Sequence, residues 1–205
     1  MDNNNIVWHN GFITRDYRNL LNRHKSGLLW LTGLPASGKS TVAHCIEKEL
    51  MRQNVRAYVL DGDNLRHNLN SDLGFSREDR KENLRRVAEV SKLFVDAGMI
   101  VIAAFISPYA EDRAFVRSIV GGQDFFEGYI KCSLEECERR DPKGHYKKAR
   151  SGIIRNYTGI SAPYEEPENP DIVVDTERDN LECSVRTVLD FLDKAGLTAI
   201  SAVGI

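Results

Sequence analysis

The chain has 205 residues and a formal net charge of −2, with 41% hydrophobic and 28% charged residues. This composition excludes a disordered chain and a membrane-embedded one, and the charge argues against general nucleic-acid binding. Single hydrophobic cores grow to about 250 residues before chains divide. We therefore expect one domain over residues 1–205, which begins with an N-terminal segment at residues 1–26.

No stretch of the sequence predicts membrane targeting. The longest uninterrupted apolar run, Met99–Ile106, is far shorter than the ~20 residues of a membrane-spanning helix. The polar N-terminus lacks the apolar stretch of a secretory signal. We expect a cytoplasmic protein that binds no membrane and whose four cysteines, spaced unlike a zinc site, stay reduced.

Five apolar stretches of strand length alternate with helical patterns along the chain. Within each stretch, apolar residues follow one another with few polar residues between them, which predicts strands buried on both faces. The order of strands and helices predicts an α/β fold with three α/β/α layers and a central parallel sheet, which the phosphate-loop motif described next assigns to the P-loop NTPase type. Ligands then bind at the carboxyl ends of the strands. The predicted strands are Leu28–Thr32, Ala57–Leu60, Met99–Ile106, Tyr129–Cys132 and Ile172–Val174.

Directly after the first strand, Gly33–Ser40 matches the phosphate-loop pattern G-x-x-x-x-G-K-[ST] at every fixed position. The backbone N–H groups of such a loop bind phosphates, the lysine reaches the β- and γ-phosphates, and the hydroxyl of Ser40 ligates Mg²⁺. The motif indicates a nucleoside triphosphate but leaves the reaction open. We expect ATP to contact Gly33, Leu34, Pro35, Ala36, Ser37, Gly38, Lys39, Ser40 and Thr41.

The second strand ends in two carboxylates, Asp61 and Asp63, followed by Arg66. Asp-Gly-Asp is a good turn sequence, so turn formation is one interpretation. Beside a phosphate loop, however, Asp63 can orient an acceptor hydroxyl and take up its proton, while Asp61 holds the water ligands of Mg²⁺. We favour this second interpretation.

The next helix is predicted to begin after Ser76, which starts a capping-box pattern, and to end at Gly98 after roughly five turns. Phe75, just before it, either fills the core or stacks on a planar ligand. Arg80 and Asn83 are three residues apart on one helix face, where they can bind an anion and a sugar together.

The third strand leads to Ser107 and Pro108, a natural N-cap and first residue for the following helix. The Ser107 hydroxyl can also contact substrate or be transiently phosphorylated. Further on, Arg139–Arg155 contains seven basic residues and one acid. This run is either a solvated surface helix or an anion-binding segment, with Gly144 and Gly152 as possible hinges.

Taken together, these motifs resemble adenylyl-sulfate kinase, and the resemblance extends from Trp8 to about Thr176. It implies transfer of the γ-phosphate of ATP to the 3′-hydroxyl of adenosine 5′-phosphosulfate (APS), giving 3′-phosphoadenosine 5′-phosphosulfate and ADP in sulfate assimilation. It further implies a requirement for Mg²⁺, a homodimer and a functional association with ATP sulfurylase. The matching blocks are Gly33–Thr41, Asp61–Arg66, Gly74–Arg80, Glu82–Arg86, Phe105–Tyr109, Arg140–Gly144, Tyr146–Arg150 and Tyr157–Ile160.

The resemblance also implies roles for individual residues. Asp63 resembles the catalytic base, Lys39 and Ser107 complete the catalytic group, and residues 139–160 resemble a mobile lid. A phosphoserine intermediate is described for the family at the position of Ser107, although direct in-line transfer needs no covalent step. Phe75 and Tyr157 would sandwich the acceptor adenine. The remaining contacts to the acceptor would come from Arg66, Arg80, Asn83, Ile106, Lys143 and Asn156.

Two alternatives remain at this point. A small-metabolite kinase of the shikimate or gluconate type shares the phosphate loop, but its acceptor offers no π-face for Phe75 and Tyr157. A non-catalytic nucleotide-sensing module shares the fold, but it does not need the intact Lys39, Ser40 and Asp63.

Overall fold

A computed structural model of the chain describes residues 6, 7, 9 and 11–198, so Trp8, where the resemblance begins, lies outside the described residues. In this part of the chain, five parallel strands form a sheet with the order β2-β3-β1-β4-β5. The predicted α/β fold with a central parallel sheet is therefore confirmed. The strands are β1 Gly27–Thr32, β2 Ala57–Asp61, β3 Ile100–Ala104, β4 Phe125–Lys131 and β5 Ile172–Asp175.

Helices cover both faces of the sheet. On one face α2 and α8 contribute apolar residues to a core with β1 and β3, and on the other face α4 and α5 do the same. None of the described helices combines the length and the apolar character that crossing a bilayer requires. The helices are α1 Arg15–Asn22, α2 Lys39–Arg52, α3 Gly62–His67, α4 Arg77–Asp96, α5 Ala110–Val120, α6 Leu134–Arg140, α7 His145–Arg150 and α8 Leu181–Lys194.

The caps predicted for α4 are confirmed. The hydroxyl of Ser76 accepts a hydrogen bond from the backbone N–H of Asp79 over 3.1 Å. At the other end Gly98 takes a left-handed conformation with φ of 85°, which is favourable for glycine. These caps fix a helix of 20 residues, whose first turns carry Arg80 and Asn83 to the carboxyl edge of the sheet.

The prediction that Ser107 caps the following helix is wrong. Helix α5 begins at Ala110, and its N-cap residue, Tyr109, makes no side-chain capping hydrogen bond. The N–H of Ala110 instead donates to a carboxylate oxygen of Glu165 over 2.7 Å, and the Ser107 hydroxyl is engaged elsewhere. A residue 55 positions away thus supplies the cap, which local sequence cannot reveal.

Two of the predicted strand ends differ from the structure by more than one residue. The third strand ends at Ala104 rather than Ile106, since Ser107 turns the chain with a φ of 36°. The fourth strand begins at Phe125 rather than Tyr129. Its first residues do not form an apolar run, because Glu127 and Gly128 interrupt the pattern, so the sequence does not predict a strand there. Glu127 lies in this strand because it pairs with the buried guanidinium of Arg113 over 2.6 Å.

Candidate active site

A cavity of about 1030 Å³ opens at the carboxyl ends of the central strands. Its wall includes most of the residues that the sequence predicts for the site, drawn from segments far apart in the chain. Gly33, Leu34 and Ser37 of the phosphate loop do not border it. Those that do are Pro35, Ala36, Gly38, Lys39, Ser40, Thr41, Asp61, Asp63, Arg66, Phe75, Arg80, Asn83, Ile106, Ser107, Lys143, Asn156 and Tyr157.

The phosphate loop is a tight turn that only small residues allow. A Cβ atom on Gly33 would lie 2.5 Å from the carbonyl oxygen of Ile130, closer than atoms can approach. Gly38 precedes α2 with a φ of 94°, in the left-handed region. The loop therefore directs the free N–H groups at the start of α2 into the cavity, an arrangement that binds anions.

Pro35 and Ala36 form the central pair of a turn in this loop. The N–H of Ser37 donates to the carbonyl oxygen of Leu34 over 3.1 Å, and Ala36 has a φ of 62°. Proline followed by a residue with positive φ is the pattern of a type II turn, which favours glycine at the second position. Alanine there carries roughly 1 kcal/mol of backbone strain.

Lys39 is held against its own loop. Its Nζ donates to the carbonyl oxygens of Gly33 over 3.0 Å and of Leu34 over 2.7 Å. Burial lowers the pKa of Lys39 to about 8, although the carboxylates of Asp61 and Asp63 act in the opposite direction. A bound phosphate would add the anion that this ammonium lacks.

Asp61 joins the phosphate loop to the second strand. Its Oδ2 accepts a hydrogen bond from the Ser40 hydroxyl over 2.6 Å, and its Oδ1 accepts from the N–H of Asp63 over 3.0 Å at the start of α3. One oxygen of Asp61 thus has a local structural role as a helix cap, and the other faces Ser40, as the magnesium interpretation requires. A hydroxyl beside a carboxylate is a hard oxygen pair of the kind that Mg²⁺ prefers.

Asp63 and Lys143 meet across the cavity, although they are 80 positions apart. The Nζ of Lys143 forms an ion pair with Oδ2 of Asp63, and this hydrogen bond raises the pKa of Lys143. Both side chains are largely exposed to the open cavity. The candidate base and an exposed cation of the predicted lid are therefore in direct contact.

Phe75 does not fill the core. It is 68% exposed, and the Arg66 guanidinium lies over its ring at 4.4 Å from the centroid. Arg80 donates from Nε to the carbonyl oxygen of Phe75 over 3.0 Å and from NH2 to that of Asn156 over 3.2 Å. Two cations and an open aromatic face thus lie together on this side of the cavity.

Tyr157 lies on the same cavity wall and is half-buried. Its ring packs edge-on against Tyr146 at a centroid distance of 5.1 Å and against His145 at 6.3 Å. Burial raises the pKa of Tyr157 to about 12, so the phenol stays neutral near pH 7. The structure brings Phe75 and Tyr157 to one cavity, as a sandwich around a planar ligand requires.

Ser107 is 3% exposed and lies at the back of the cavity. Its hydroxyl oxygen accepts a hydrogen bond from the indole N–H of Trp30 over 3.0 Å. Its carbonyl oxygen accepts from NH1 of Arg113 over 2.9 Å. Ser107 borders the ligand space, but its hydroxyl is engaged by the protein core.

The basic residues of the segment 139–155 have different surroundings. Arg139 and Arg140 pair with Glu136, and Arg150 pairs with Glu138, as in a solvated surface helix. Arg140 also borders the cavity, as do Lys143 and Arg155, whereas Lys147 and Lys148 do not. Tyr146, 2% exposed, anchors the segment by donating to the carbonyl oxygen of Pro35 over 3.0 Å.

Sequence reasoning missed one end of the cavity. Thr176 donates from Oγ1 to the carbonyl oxygen of Ser37 over 2.7 Å, and Arg140 donates to the carbonyl oxygen of Thr176 over 2.6 Å. Asp179 and Leu181 border the cavity next to them. The position of Thr176 just after β5 was an available signal, since ligands bind beyond the carboxyl ends of parallel strands.

Known proteins resemble this chain along most of its length. The sequence pattern of the adenylylsulphate kinase family matches residues 25–175. The adenylyl-sulfate kinase of Staphylococcus epidermidis is 56% identical over 191 residues, which cover 93% of this chain and 96% of that protein. That of Oceanobacillus iheyensis is 57% identical over 188 residues, covering 92% and 94%. The APS kinase of Mycobacterium tuberculosis, solved in complex with AMPPNP and APS, gives a TM-score of 0.80 at 48% identity, covering 83% of this chain and 99% of that one.

Proposed function

This chain belongs to the adenylylsulphate kinase family, and we propose that it transfers the γ-phosphate of ATP to the 3′-hydroxyl of APS. One observation carries the proposal: a single cavity is lined both by a phosphate loop and by the pair Phe75 and Tyr157. Asp63 and Lys143 lie on its wall as well. Such a cavity can hold two nucleotides at once.

ATP would lie along residues 33–41, with its phosphates on the N–H groups of the loop and on Lys39. Its base would lie at the end formed by Arg140, Thr176 and Leu181, which border the same cavity. The γ-phosphate then points along the cavity toward Asp63. This orientation leaves the opposite end free for the acceptor.

The adenine of APS would stack between Phe75 and Tyr157, and its anionic groups would pair with Arg66 and Arg80. Asn83 and Ile106 would close the pocket around the sugar. A paired aromatic wall suits a nucleobase better than a polyol, which disfavours the alternative of a small-metabolite kinase.

Asp63 would orient the 3′-hydroxyl and accept its proton as the bond to phosphorus forms. The proton then remains on Oδ of Asp63 until it passes to solvent. For this step Lys143 has to leave the carboxylate, and it would then place its charge on the transferring phosphate or the acceptor. Closure of residues 139–160 over the nucleotides would exclude water, so that the phosphate is not lost to hydrolysis.

Ser40 and Asp61 fit a magnesium site. Mg²⁺ is usually bound through one or two protein oxygens and the phosphates of the substrate. The Ser40 hydroxyl and the Asp61 carboxylate, whose oxygens are 2.6 Å apart, would supply those protein oxygens. No group of three or more acidic, histidine or cysteine side chains suited to a metal occurs among residues 6, 7, 9 and 11–198, so this part of the chain offers no metal cage of its own. The ion, when bound with ATP, would neutralise charge on the transferring group.

Ser107 would shape the acceptor pocket, with direct in-line transfer and no covalent step. Its buried hydroxyl, held by Trp30, supports this role. The homodimer, the association with ATP sulfurylase and the cytoplasmic location stay predictions from the sequence.

The test is a coupled assay of ADP release with and without APS. We expect release that depends on both Mg²⁺ and APS, together with formation of 3′-phosphoadenosine 5′-phosphosulfate by chromatography. Gluconate and shikimate serve as control acceptors. Release of ADP with one of these, or tight nucleotide binding without turnover, would refute the proposal in favour of one of the two alternatives.

A further inference from the structure

Asn70 is a fully buried amide behind the acceptor side of the cavity. It lies in the turn between α3 and α4, has no solvent exposure and does not border the cavity. Its Nδ2 donates a hydrogen bond to Oδ1 of Asn83 over 3.0 Å. Asn83, 4% exposed, does border the cavity. Asn70 can therefore reach a bound ligand only through Asn83.

This hydrogen bond decides which atom of Asn83 faces the ligand. A side-chain amide carries one acceptor oxygen and one NH₂ donor on opposite sides. Because Asn70 holds the oxygen of Asn83, Nδ2 of Asn83 is the atom left to face the cavity, and it donates to no other group in the described part of the chain. The cavity wall is thus given a donor at this point.

The backbone fixes Asn70 in this position. Its N–H donates to the carbonyl oxygen of Leu65 over 2.9 Å, and its carbonyl oxygen accepts from the N–H of Leu73 over 3.2 Å. The same turn is held from outside by Arg66, whose NH1 donates to the carbonyl oxygen of Gly74 over 2.9 Å. The amide of Asn70 has little freedom to move away from Asn83.

A cost in stability accompanies this arrangement. Oδ1 of Asn70 is buried and has no hydrogen-bond partner among the described residues. An unpaired buried acceptor destabilises the fold, and an apolar side chain of the same size would remove that penalty. The donor on the same amide, directed at Asn83, gives a reason for an asparagine at this position.

We propose that Asn70 is a positioning residue, which makes Asn83 present an N–H donor to an acceptor oxygen of APS. The inference rests on the proposed function and names a determinant of its acceptor site. A ligand oxygen at that point gains a hydrogen bond. A group that can only donate meets a second donor and is rejected.

The decisive variant is Asn70→Asp, which keeps the shape of the side chain and, once the buried carboxyl is ionised by raising the pH of the assay, replaces its donor with an acceptor. The amide of Asn83 then turns over, because its oxygen would otherwise face another oxygen, and Oδ1 enters the cavity. We expect the Kd of APS, measured by calorimetry with ADP bound, and the KM for APS to rise at least about 10-fold. The KM for ATP should change by less than about twofold, since the phosphate loop is untouched. Asn68→Asp, an exposed residue of the same turn, is the control for added charge.

A second variant guards against misfolding of the first. Asn70→Leu removes the donor without adding charge, so Asn83 samples both orientations, and the KM for APS should rise by a smaller factor. On an Asn83→Ala background, Asn70→Asp should change the KM for APS by less than about twofold, because no amide remains to turn. If Asn70 had a purely structural role, the effect of Asn70→Asp on the KM for APS would not depend on the presence of the Asn83 amide.

Three results would overturn the proposal: an unchanged KM for APS in the Asn70 variants, a parallel rise of both KM values, or a full effect of Asn70→Asp on the Asn83→Ala background. If Asn70→Asp does not fold, Asn70→Leu alone decides in the same way. Phosphorylation of APS by the wild-type enzyme tests the proposed function separately, so the two can fail independently.

Discussion

The indole N–H of Trp30 donates a hydrogen bond to the hydroxyl of Ser107 over 3.0 Å, although 77 positions separate the two residues. Trp30 is fully buried and stacks on Phe105 at a centroid distance of 5.0 Å, so the donor is fixed in place. The hydroxyl of Ser107 is thereby turned into the protein. This contact supports a structural use of the serine.

Ser107→Ala should therefore keep substantial turnover. The change leaves the buried N–H of Trp30 without its acceptor, so the free energy of unfolding should fall by about 1–3 kcal/mol. Initial-rate kinetics and urea denaturation measure the two effects. Ser118→Ala, which removes an exposed hydroxyl bonded to the carbonyl oxygen of Phe115, is the matched control. Complete loss of activity, with a phosphoserine trapped in the wild-type enzyme, would contradict this expectation.

Asp63→Asn keeps the shape of the candidate base but removes its ability to accept a proton. We expect kcat to fall by roughly 10²–10⁴, with a smaller change in the affinity for APS. Steady-state kinetics, with calorimetric titration of APS, separate the two quantities. Glu89→Gln changes an exposed carboxylate on α4 outside the cavity and should behave as wild type. Loss of affinity alone would assign Asp63 to recognition.

Lys39→Met should abolish transfer while leaving the empty enzyme at least as stable as wild type. The ammonium is needed for the γ-phosphate, and its loss removes several kcal/mol of stabilisation from the transition state. In the empty site, however, burial disfavours the charge, as the lowered pKa of about 8 indicates. Thermal unfolding measures the stability of the empty enzyme, and ADP release measures transfer. The exposed Lys48→Met is the control for both. More than about a tenth of wild-type kcat would rule out the role of Lys39.

His24 should make the fold less stable in mild acid. Its Nδ1 donates to the carbonyl oxygen of Lys25 over 2.8 Å, and its Nε2 accepts from the N–H of Arg56 over 3.0 Å, which requires a neutral ring. Burial lowers the pKa of His24 below its usual 6.5. Below about pH 6.5 the unfolded chain therefore binds more protons than the folded one, and stability falls as the pH drops.

Urea denaturation at pH 7.5 and pH 5.5 measures this dependence. His24→Gln should be less stable than wild type at pH 7.5, because a core contact is lost, but should lose less stability on acidification. The exposed His67→Gln is the control and should keep the wild-type slope. Identical slopes for wild type and His24→Gln would exclude His24 as the group responsible.

Residues 139–160 should respond unevenly to bound nucleotides. Tyr146 and Ala149 are buried in α7, so this helix should already exchange its amide hydrogens slowly in the empty enzyme. The following residues, 151–156, are mostly exposed and should gain protection only when ADP and APS are both bound. Hydrogen exchange measured by mass spectrometry tests this difference. Equal exchange of residues 151–156 in all states would refute the lid.

The same closure predicts inhibition by excess acceptor, since APS that enters before ADP leaves would form a closed, unproductive complex. Initial rates should therefore pass through a maximum as the APS concentration rises. Neutralising Lys147 and Lys148 together should weaken lid closure, raise the KM for ATP and relieve that inhibition. Rates that stay hyperbolic at every APS concentration would contradict closure of the lid and leave the kinase assignment unaffected.

Local patterns predicted much of the fold because they depend on neighbours in the chain. The strand, loop and helix around Gly33–Ser40 follow from a buried apolar run, two glycines and a helix start. Helix α4 follows from its caps at Ser76 and Gly98. The strands followed by Asp63 and Thr176 place these residues at the carboxyl edge of the sheet for the same reason.

The sequence by itself determined the phosphate loop, the parallel α/β architecture and the edge of the sheet at which the candidate site lies, since these follow from local patterns and from the order of the elements along the chain. Only the tertiary structure decided what the individual side chains do. The pairs Trp30–Ser107, Asp63–Lys143 and Asn70–Asn83 each join different elements, and their geometry depends on the strand order β2-β3-β1-β4-β5 and on how helices pack over it. Periodicity records which face of an element is buried but not which partner lies opposite, so the orientation of the Asn83 amide and of the Ser107 hydroxyl had to come from the folded chain.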